Sequence, residues 1–84
     1  MRGIGTGGAM NLSDGADRVR EILCEEWQGG RRFVSHPRFT LRAADTPRTE
    51  LDSYLVELTR FGYIEVSDQG IAIIKDPCRP PGSG

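Results

Sequence analysis

Five arginines lie close together in the middle of the chain, and their side chains could bind phosphate groups. The segment 29–48 contains these arginines and a single acid, Asp45, so its formal charge is +4 in a chain whose net charge is −1. A guanidinium is always charged and donates hydrogen bonds in a geometry that matches phosphate oxygens. The five residues are Arg31, Arg32, Arg38, Arg42 and Arg48. The alternative is that they pair with acidic helix faces and bind no ligand.

The residue types needed for catalysis or metal binding are scarce. His36 is the only histidine, and Cys24 and Cys78 lack the CxxC spacing of a zinc or redox site. The stretch GIGTGG near the start lacks the flanking strand and helix that a phosphate-binding loop requires. We therefore predict that the chain is not an enzyme and uses no cofactor or metal.

Two cysteines are also too few for the disulfide framework of a small secreted protein, which predicts a reduced, cytoplasmic setting. No apolar run approaches the roughly 20 residues of a membrane span, and the start of the chain lacks the apolar core of a signal peptide. We expect no contact with a membrane.

The glycine-rich start and the Pro/Gly-rich end set the expected limits of the folded part. We predict a disordered leader at residues 1–11, one domain at residues 12–77 and a disordered tail at residues 78–84. A domain of this size buries only roughly 60% of the surface that its unfolded chain exposes. Pairing with a partner protein or a second copy would therefore stabilise it.

A first helix is predicted from Ser13, with either Ser13 or Asp14 as its cap, and the pair Gly29–Gly30 ends it. The residues that follow are Val19, Ile22, Leu23, Glu26 and Trp27, of which the four apolar ones fall on one face. Trp27 and Phe33 are expected in the core rather than as platforms for stacking nucleobases.

Residues 31–45 allow two interpretations. In the first, RRFVS and RFTLRA form a hairpin around His36–Pro37, which would give a simple αββ interaction domain. In the second, Arg38–Phe39 is a brief strand, Thr40 caps a helix, and LRAAD forms one to two helical turns. We favour the second.

The stretch TPRTELDSYLVELTRFGYIEV has the clearest pattern. Thr46 is expected to cap a helix that has Pro47 at its first position. The residues at helical spacing are Leu51, Tyr54, Leu55, Leu58 and Phe61. Gly62 suits the position after a helix. A terminal β-hairpin is predicted from the stretches around Ile64–Val66 and IAIIK, which SDQG joins. Tyr63, at the base of this hairpin, is expected to be rather exposed.

This order of elements resembles the winged helix-turn-helix superfamily over roughly residues 13–75. The resemblance rests on the polar turn with Pro47, on Leu51, Leu55 and Leu58, and on Gly62 followed by an aliphatic strand. It implies a small α+β winged-helix domain with two main helices, a short helix and a C-terminal β-hairpin wing. In that family the helix after Pro47 reads DNA.

The resemblance also implies that Thr49, Ser53, Glu57 and Arg60 project outward from this helix, flanked by Arg48, Glu50 and Asp52. Three of these seven residues are acidic. Because carboxylates repel DNA phosphates, this acidic face weighs against DNA binding at the helix itself.

Two functions follow as expectations. The leading hypothesis is a small winged-helix protein that binds double-stranded DNA as a transcription regulator or accessory factor, with the possibility of a homodimer. The predicted DNA-binding residues are Arg31, Arg32, Arg38, Arg42, Arg48, Thr49, Ser53 and Arg60. The alternative is a winged-helix protein–protein interaction module that uses its acidic helix face. The deciding question is whether the middle arginines lie on the same side as the start of the 47–61 helix.

Overall fold

The computed structural model describes residues 12–80, which form three helices and a three-stranded antiparallel sheet. The elements are α1 (Asp14–Gln28), β1 (Phe33–Ser35), α2 (His36–Arg42), α3 (Arg48–Arg60), β2 (Ile64–Val66) and β3 (Gly70–Ile73). The predicted α+β class is confirmed, with two longer helices, a short one and a C-terminal hairpin. The expected leader and the last four residues of the expected tail lie outside the described residues.

Helix α1 begins at the predicted cap. The Ser13 hydroxyl accepts a hydrogen bond from the Ala16 amide at 3.3 Å and so satisfies one of the donors left free in the first turn. The helix ends at Gly29, and Gly30 follows with a φ of 91°, which glycine adopts without the steric cost of a side chain. The predicted end of this helix is therefore confirmed.

Neither interpretation of residues 31–45 is correct in full. Strand β1 forms at the start of this segment, but it pairs with β3 rather than with the residues that follow it. A short helix follows, as favoured, but Ser35 caps it instead of Thr40, accepting from the Arg38 amide at 3.4 Å. Pro37 in the first turn loses no helical hydrogen bond. The strand expected just after Pro37 is absent because those residues are already helical.

Helix α3 has its predicted place but not its predicted cap. It begins at Arg48, with Pro47 in the N-cap position and no side-chain hydrogen bond to the first turn. Thr46 instead uses its amide to close the preceding turn, donating to the Ala43 carbonyl at 3.0 Å. At the other end Gly62 has a φ of 81°, as predicted for the residue that follows a helix.

Strand β3 is central in the sheet, between β1 and β2. The β2–β3 hairpin turns at residues 67–69, where the Ser67 amide donates to the Gly70 carbonyl at 2.8 Å. Strand β1 approaches β3 so closely that a Cβ added to Gly70 would lie 2.4 Å from the Val34 carbonyl oxygen. Only glycine therefore allows these two strands to pair at this register.

The core receives buried side chains from all six elements. Its members are Val19, Leu23, Val34, Phe39, Ala43, Leu51, Leu58, Tyr63, Ile64, Ile71 and Ile73. Two expectations are wrong: Tyr63, expected to be open, is 2% exposed, and Phe33, expected in the core, is 46% exposed. Phe33 points away from the core because successive strand residues face opposite sides of the sheet and Val34 takes the inner one.

A disulfide between Cys24 and Cys78 attaches the end of the chain to α1. The buried Arg20 side chain donates to the Pro77 carbonyl at 2.7 Å, and the Tyr63 hydroxyl donates to the Arg79 carbonyl. The disulfide corrects the expectation that the cysteines are reduced, and the two hydrogen bonds hold Pro77 and Arg79 against the rest of the fold. The disulfide also removes the basis on which a reducing setting was expected.

Candidate interaction site

Three of the middle arginines surround one buried carboxylate. The Glu26 side chain is 2% exposed, and Arg38 donates to it through Nε at 2.9 Å and Nη2 at 3.1 Å. Arg31 Nε lies 3.0 Å from Glu26 Oε1, and Arg42 Nη1 lies 3.2 Å from Oε2. Arg42 also pairs with Glu25 at the surface. We call these three arginines, with Glu25 and Glu26, the arginine cluster.

The arginine cluster keeps Glu26 charged. The hydrogen bonds from Arg38 lower the pKa of the Glu26 carboxyl, burial opposes them, and the positive charges of Arg38, Arg42 and Arg31 lower it further. The same hydrogen bonding raises the pKa of Arg38. Because two carboxylates face three guanidinium groups, two of the three positive charges in the arginine cluster are compensated within the chain.

Arg32 is held by Trp27 rather than by an acid. Its guanidinium carbon lies 3.7 Å from the centroid of the Trp27 ring, a cation–π contact. Its Nη1 also donates to the carbonyl oxygens of Trp27 and Arg31, each at 3.3 Å. Trp27 therefore supports an arginine and packs against the core, as expected of a structural aromatic residue.

The arginine cluster and the start of α3 lie on different sides of α2. Helix residues turn by about 100° each, so Arg38 and Arg42 share one side of α2 while His36 and Thr40 lie on roughly the opposite side. Arg38 and Arg42 contact α1, whereas His36 and Thr40 line a cleft against α3, with Arg48 at its edge. Of the five middle arginines, Arg48 alone lines this cleft among the described residues.

The outward face of α3 carries the other predicted residues. Arg48, Thr49, Ser53 and Arg60 are all exposed, as expected. Within residues 12–80, neither Arg48 nor Arg60 forms an ion pair. Their binding to DNA stays a prediction.

The three acids expected on the outward side of α3 differ in their surroundings, since Glu50 and Asp52 are exposed and Glu57 is half-buried. Glu57 accepts hydrogen bonds from the Ser13 amide at 3.0 Å and from the Ser13 hydroxyl at 2.7 Å, so it fixes the start of α1. Glu50 accepts from the Tyr54 hydroxyl at 3.0 Å, and this hydrogen bond raises the pKa of Tyr54. Asp52 alone among the three has no hydrogen bond or ion pair within the described part of the chain.

A groove of about 390 Å³ opens between α3 and β2, and we call it the α3–β2 groove. Its lining residues are Asp52, Leu55, Val56, Thr59, Arg60 and Val66. Val56 is 51% exposed and Val66 is 43% exposed, although both are aliphatic. The groove shares Asp52, Leu55 and Val66 with the cleft of about 270 Å³ between α2 and α3. The apolar interior of the domain thus reaches the surface here.

This groove was not predicted from the sequence, although one signal was present. Val56 stands outside the apolar stripe of its helix, so it places an aliphatic side chain on the otherwise polar face. Val66 is also exposed, at the end of β2, which is an edge strand of the sheet.

Comparison of the chain with protein-family models, with curated proteins and with solved structures finds no match. Among the described residues, no three side chains of His, Cys, Asp or Glu are placed to hold a metal ion. No helix in residues 12–80 has both the length and the apolar character that crossing a membrane requires.

Proposed function

We propose that this chain is a winged-helix domain that acts as a protein-interaction module and docks through the α3–β2 groove. The order of the elements supports the winged-helix assignment: the short α2 precedes the longer α3, and the β2–β3 hairpin follows at once. This is the order that the resemblance in sequence implies.

The exposed aliphatic surface of the α3–β2 groove carries the proposal. A helix that reads DNA gains affinity from positive charge beside the phosphates. The centre of the outward side of α3 instead presents Val56, next to Leu55 and Val66, and the two charged residues of the groove, Asp52 and Arg60, balance each other. Aliphatic patches rimmed by polar residues are typical of protein–protein contacts.

The arginine cluster supports the same proposal. A phosphate bound there would compete with Glu25 and Glu26 for the arginines, and separating the buried Glu26 from its partners is costly. The cluster also lies on the α1 side of α2, away from the cleft that Arg48 lines at the start of α3.

A photo-crosslinking amino acid at position 56 tests the docking surface. Leu41, which is 78% exposed on α2 and outside the groove, provides a matched control position. We expect protein adducts from position 56 and not from position 41, with the second chain identified by peptide mass spectrometry. Val66→Glu in the same chain should reduce the yield, because it places a charge in the groove. Equal yields from positions 56 and 41 would contradict the proposal.

DNA binding is the second candidate, because Arg48 and Arg60 are exposed on α3 and form no ion pair within residues 12–80. Fluorescence anisotropy of a labelled mixed-sequence duplex at low salt measures it. Binding that weakens steeply with salt, with a log–log slope reduced by about 0.9 in Arg48→Ala, would favour DNA over protein docking. An unchanged anisotropy at micromolar protein would favour the protein-interaction module.

A further inference from the structure

We propose that the partner in the α3–β2 groove is a second copy of this chain, with the two α3 helices packed antiparallel about a two-fold axis beside Val56. The inference rests on the proposed function, since it takes the groove to be a protein-docking surface. It is carried by the positions of the two charged residues that line the groove.

The groove is complementary to itself. Asp52 and Arg60 lie four residues before and four residues after Val56, and the spacing i, i+4 keeps all three on one side of α3. A two-fold axis at position 56 exchanges positions 52 and 60, as in any isologous contact, where residue i meets residue j and j meets i. One symmetry operation therefore forms two Asp52–Arg60 ion pairs.

The distances along the helix agree with this arrangement. A helix rises about 1.5 Å per residue, so Asp52 and Arg60 each lie about 6 Å from Val56 along the axis. In an antiparallel pair centred on Val56, the Asp52 of one copy is level with the Arg60 of the other. A parallel pair in the same register would instead place like charges together.

Both charged groups are available for such a contact. Within residues 12–80, Asp52 and Arg60 take part in no ion pair, unlike the arginines of the cluster. Between them the surface is aliphatic or small and polar, with Leu55, Val56 and Thr59 on α3. A paired copy would cover the exposed parts of Val56 and Val66.

The shape of the surface also fits a second α3. Residues 52, 56 and 60 form one i±4 ridge, and ridges of this kind pack into the groove beside the same ridge of a neighbouring helix. In this domain the groove beside the ridge is the α3–β2 groove, which Val66 of β2 bounds on its other side. Because each copy contributes only one helix and one edge strand, we expect a small interface and a dimer that dissociates on dilution.

Charge reversal with sedimentation velocity over a wide concentration range tests the inference on the full, oxidised chain. The wild type should shift from monomer to dimer as concentration rises. Asp52→Arg and Arg60→Asp should each stay monomeric, because each single variant brings like charges together. The double variant D52R/R60D should dimerise again, since the exchange restores both ion pairs.

Mixing the two single variants gives a sharper result. Asp52→Arg has arginine at both positions 52 and 60, and Arg60→Asp has aspartate at both. The two variants should therefore form a heterodimer with each other, although neither forms a dimer with itself. Because Asp52 and Arg60 have no partner in the described chain, circular dichroism should show the same fold in every variant. Wild-type sedimentation as a monomer at all concentrations, or single variants that dimerise like the wild type, would overturn the inference.

A cysteine at position 56 checks the axis directly. Since the natural cysteines are joined to each other, Val56→Cys adds one free thiol, and a residue beside a two-fold axis lies next to its own copy. We expect rapid formation of a disulfide-linked dimer by Val56→Cys and not by the exposed control Leu41→Cys. Equal rates for the two variants would overturn the antiparallel arrangement.

The outcomes separate this inference from the proposed function. A monomeric wild type whose position 56 crosslinks to a different protein rejects the second copy and leaves the docking surface in place. A monomeric wild type without any protein adduct from position 56 rejects both.

Discussion

Glu26 is the residue through which α1 holds the segment that follows it, because three guanidinium groups converge on its carboxylate. Glu26→Gln keeps the shape of the side chain but leaves Arg42 with Glu25 alone and Arg31 and Arg38 without an acidic partner. Removing one partner of a buried ion pair costs about 3–5 kcal/mol, and the partial exposure of the arginines reduces our expectation to about 2 kcal/mol. Urea denaturation measures this loss.

The control Glu25→Gln, with a side chain that is 67% exposed, should cost less than about 0.5 kcal/mol. Similar costs for both variants would contradict the role given to Glu26.

The same carboxylate predicts how stability depends on pH. The pKa of Glu26 is lower in the folded chain than its ordinary value of 4.5, so the unfolded chain binds the proton more readily. The stabilisation is therefore complete above about pH 4.5 and is lost as the pH falls through the lower, folded pKa. Unfolding free energies of the wild type and Glu26→Gln, measured from neutral to acidic pH, should converge as the pH falls. A difference that stays constant below pH 4.5 would show that this carboxylate does not titrate as predicted.

At the scale of elements, the pairing of β1 with β3 depends on the glycine that begins β3. A Cβ at position 70 would meet the Val34 carbonyl oxygen at 2.4 Å and the Ser35 Cα at 2.9 Å, and these are backbone atoms that cannot rotate away. Gly70→Ala should therefore cost about 3 kcal/mol, at the upper end of overpacking effects. Thermal unfolding measures the loss, and the exposed neighbour Gln69→Ala should change stability by less than about 0.5 kcal/mol. If Gly70→Ala and Gln69→Ala unfolded at the same temperature, β1 and β3 could not be packed as closely as the structure shows.

The elements that sequence predicted correctly are those specified by nearby residues. Ser13 caps α1 through the amide three residues on, and Gly62 has the positive φ that ends α3. Strand β1 appeared only in the interpretation that was not favoured, and with the wrong partner, because its true partner β3 lies far along the chain and three residues alone carry too weak a signal. Thr46 did not cap α3, because the helix begins one residue later than expected and Pro47 occupies the N-cap position. Both misses arise where the path of the chain decides between local alternatives.

At the scale of the whole molecule, the residues that the arginine side chains contact could not be read from their spacing in the sequence. One signal for the arginine cluster was visible: Glu26 falls on the buried side of α1, and a buried carboxylate needs partners. The chain offers many arginines, so the sequence did not say which of them turn toward it. The exposed side of Val56 could have been predicted from the helical pattern, but the open edge of β2 beside it could not, because it depends on the strand order. Whether the middle arginines lie on the same side as the start of α3 therefore depended on how α2 packs between α1 and α3.

The disulfide sets the stability of the domain as a whole, because it joins α1 to the residues that follow the sheet. Cys24 and Cys78 are 54 residues apart, and closing a loop of that length removes unfolded-state entropy worth about 4 kcal/mol in the chain-entropy model. Since a small domain is stable by only about 5–15 kcal/mol, reduction should lower the urea midpoint strongly. The denaturant slope should rise at the same time, because the open chain exposes more surface when it unfolds.

The double variant C24S/C78S is the matched control for this prediction. It should unfold at the midpoint of the reduced wild type and should not respond to reductant, because reductant then has no bond to break. Arg20 would still donate to the Pro77 carbonyl in this variant, so the end of the chain would keep one bond to α1 in the folded state. A wild type whose midpoint is the same with and without reductant would mean that this remaining contact, and not the covalent link, secures the end of the chain.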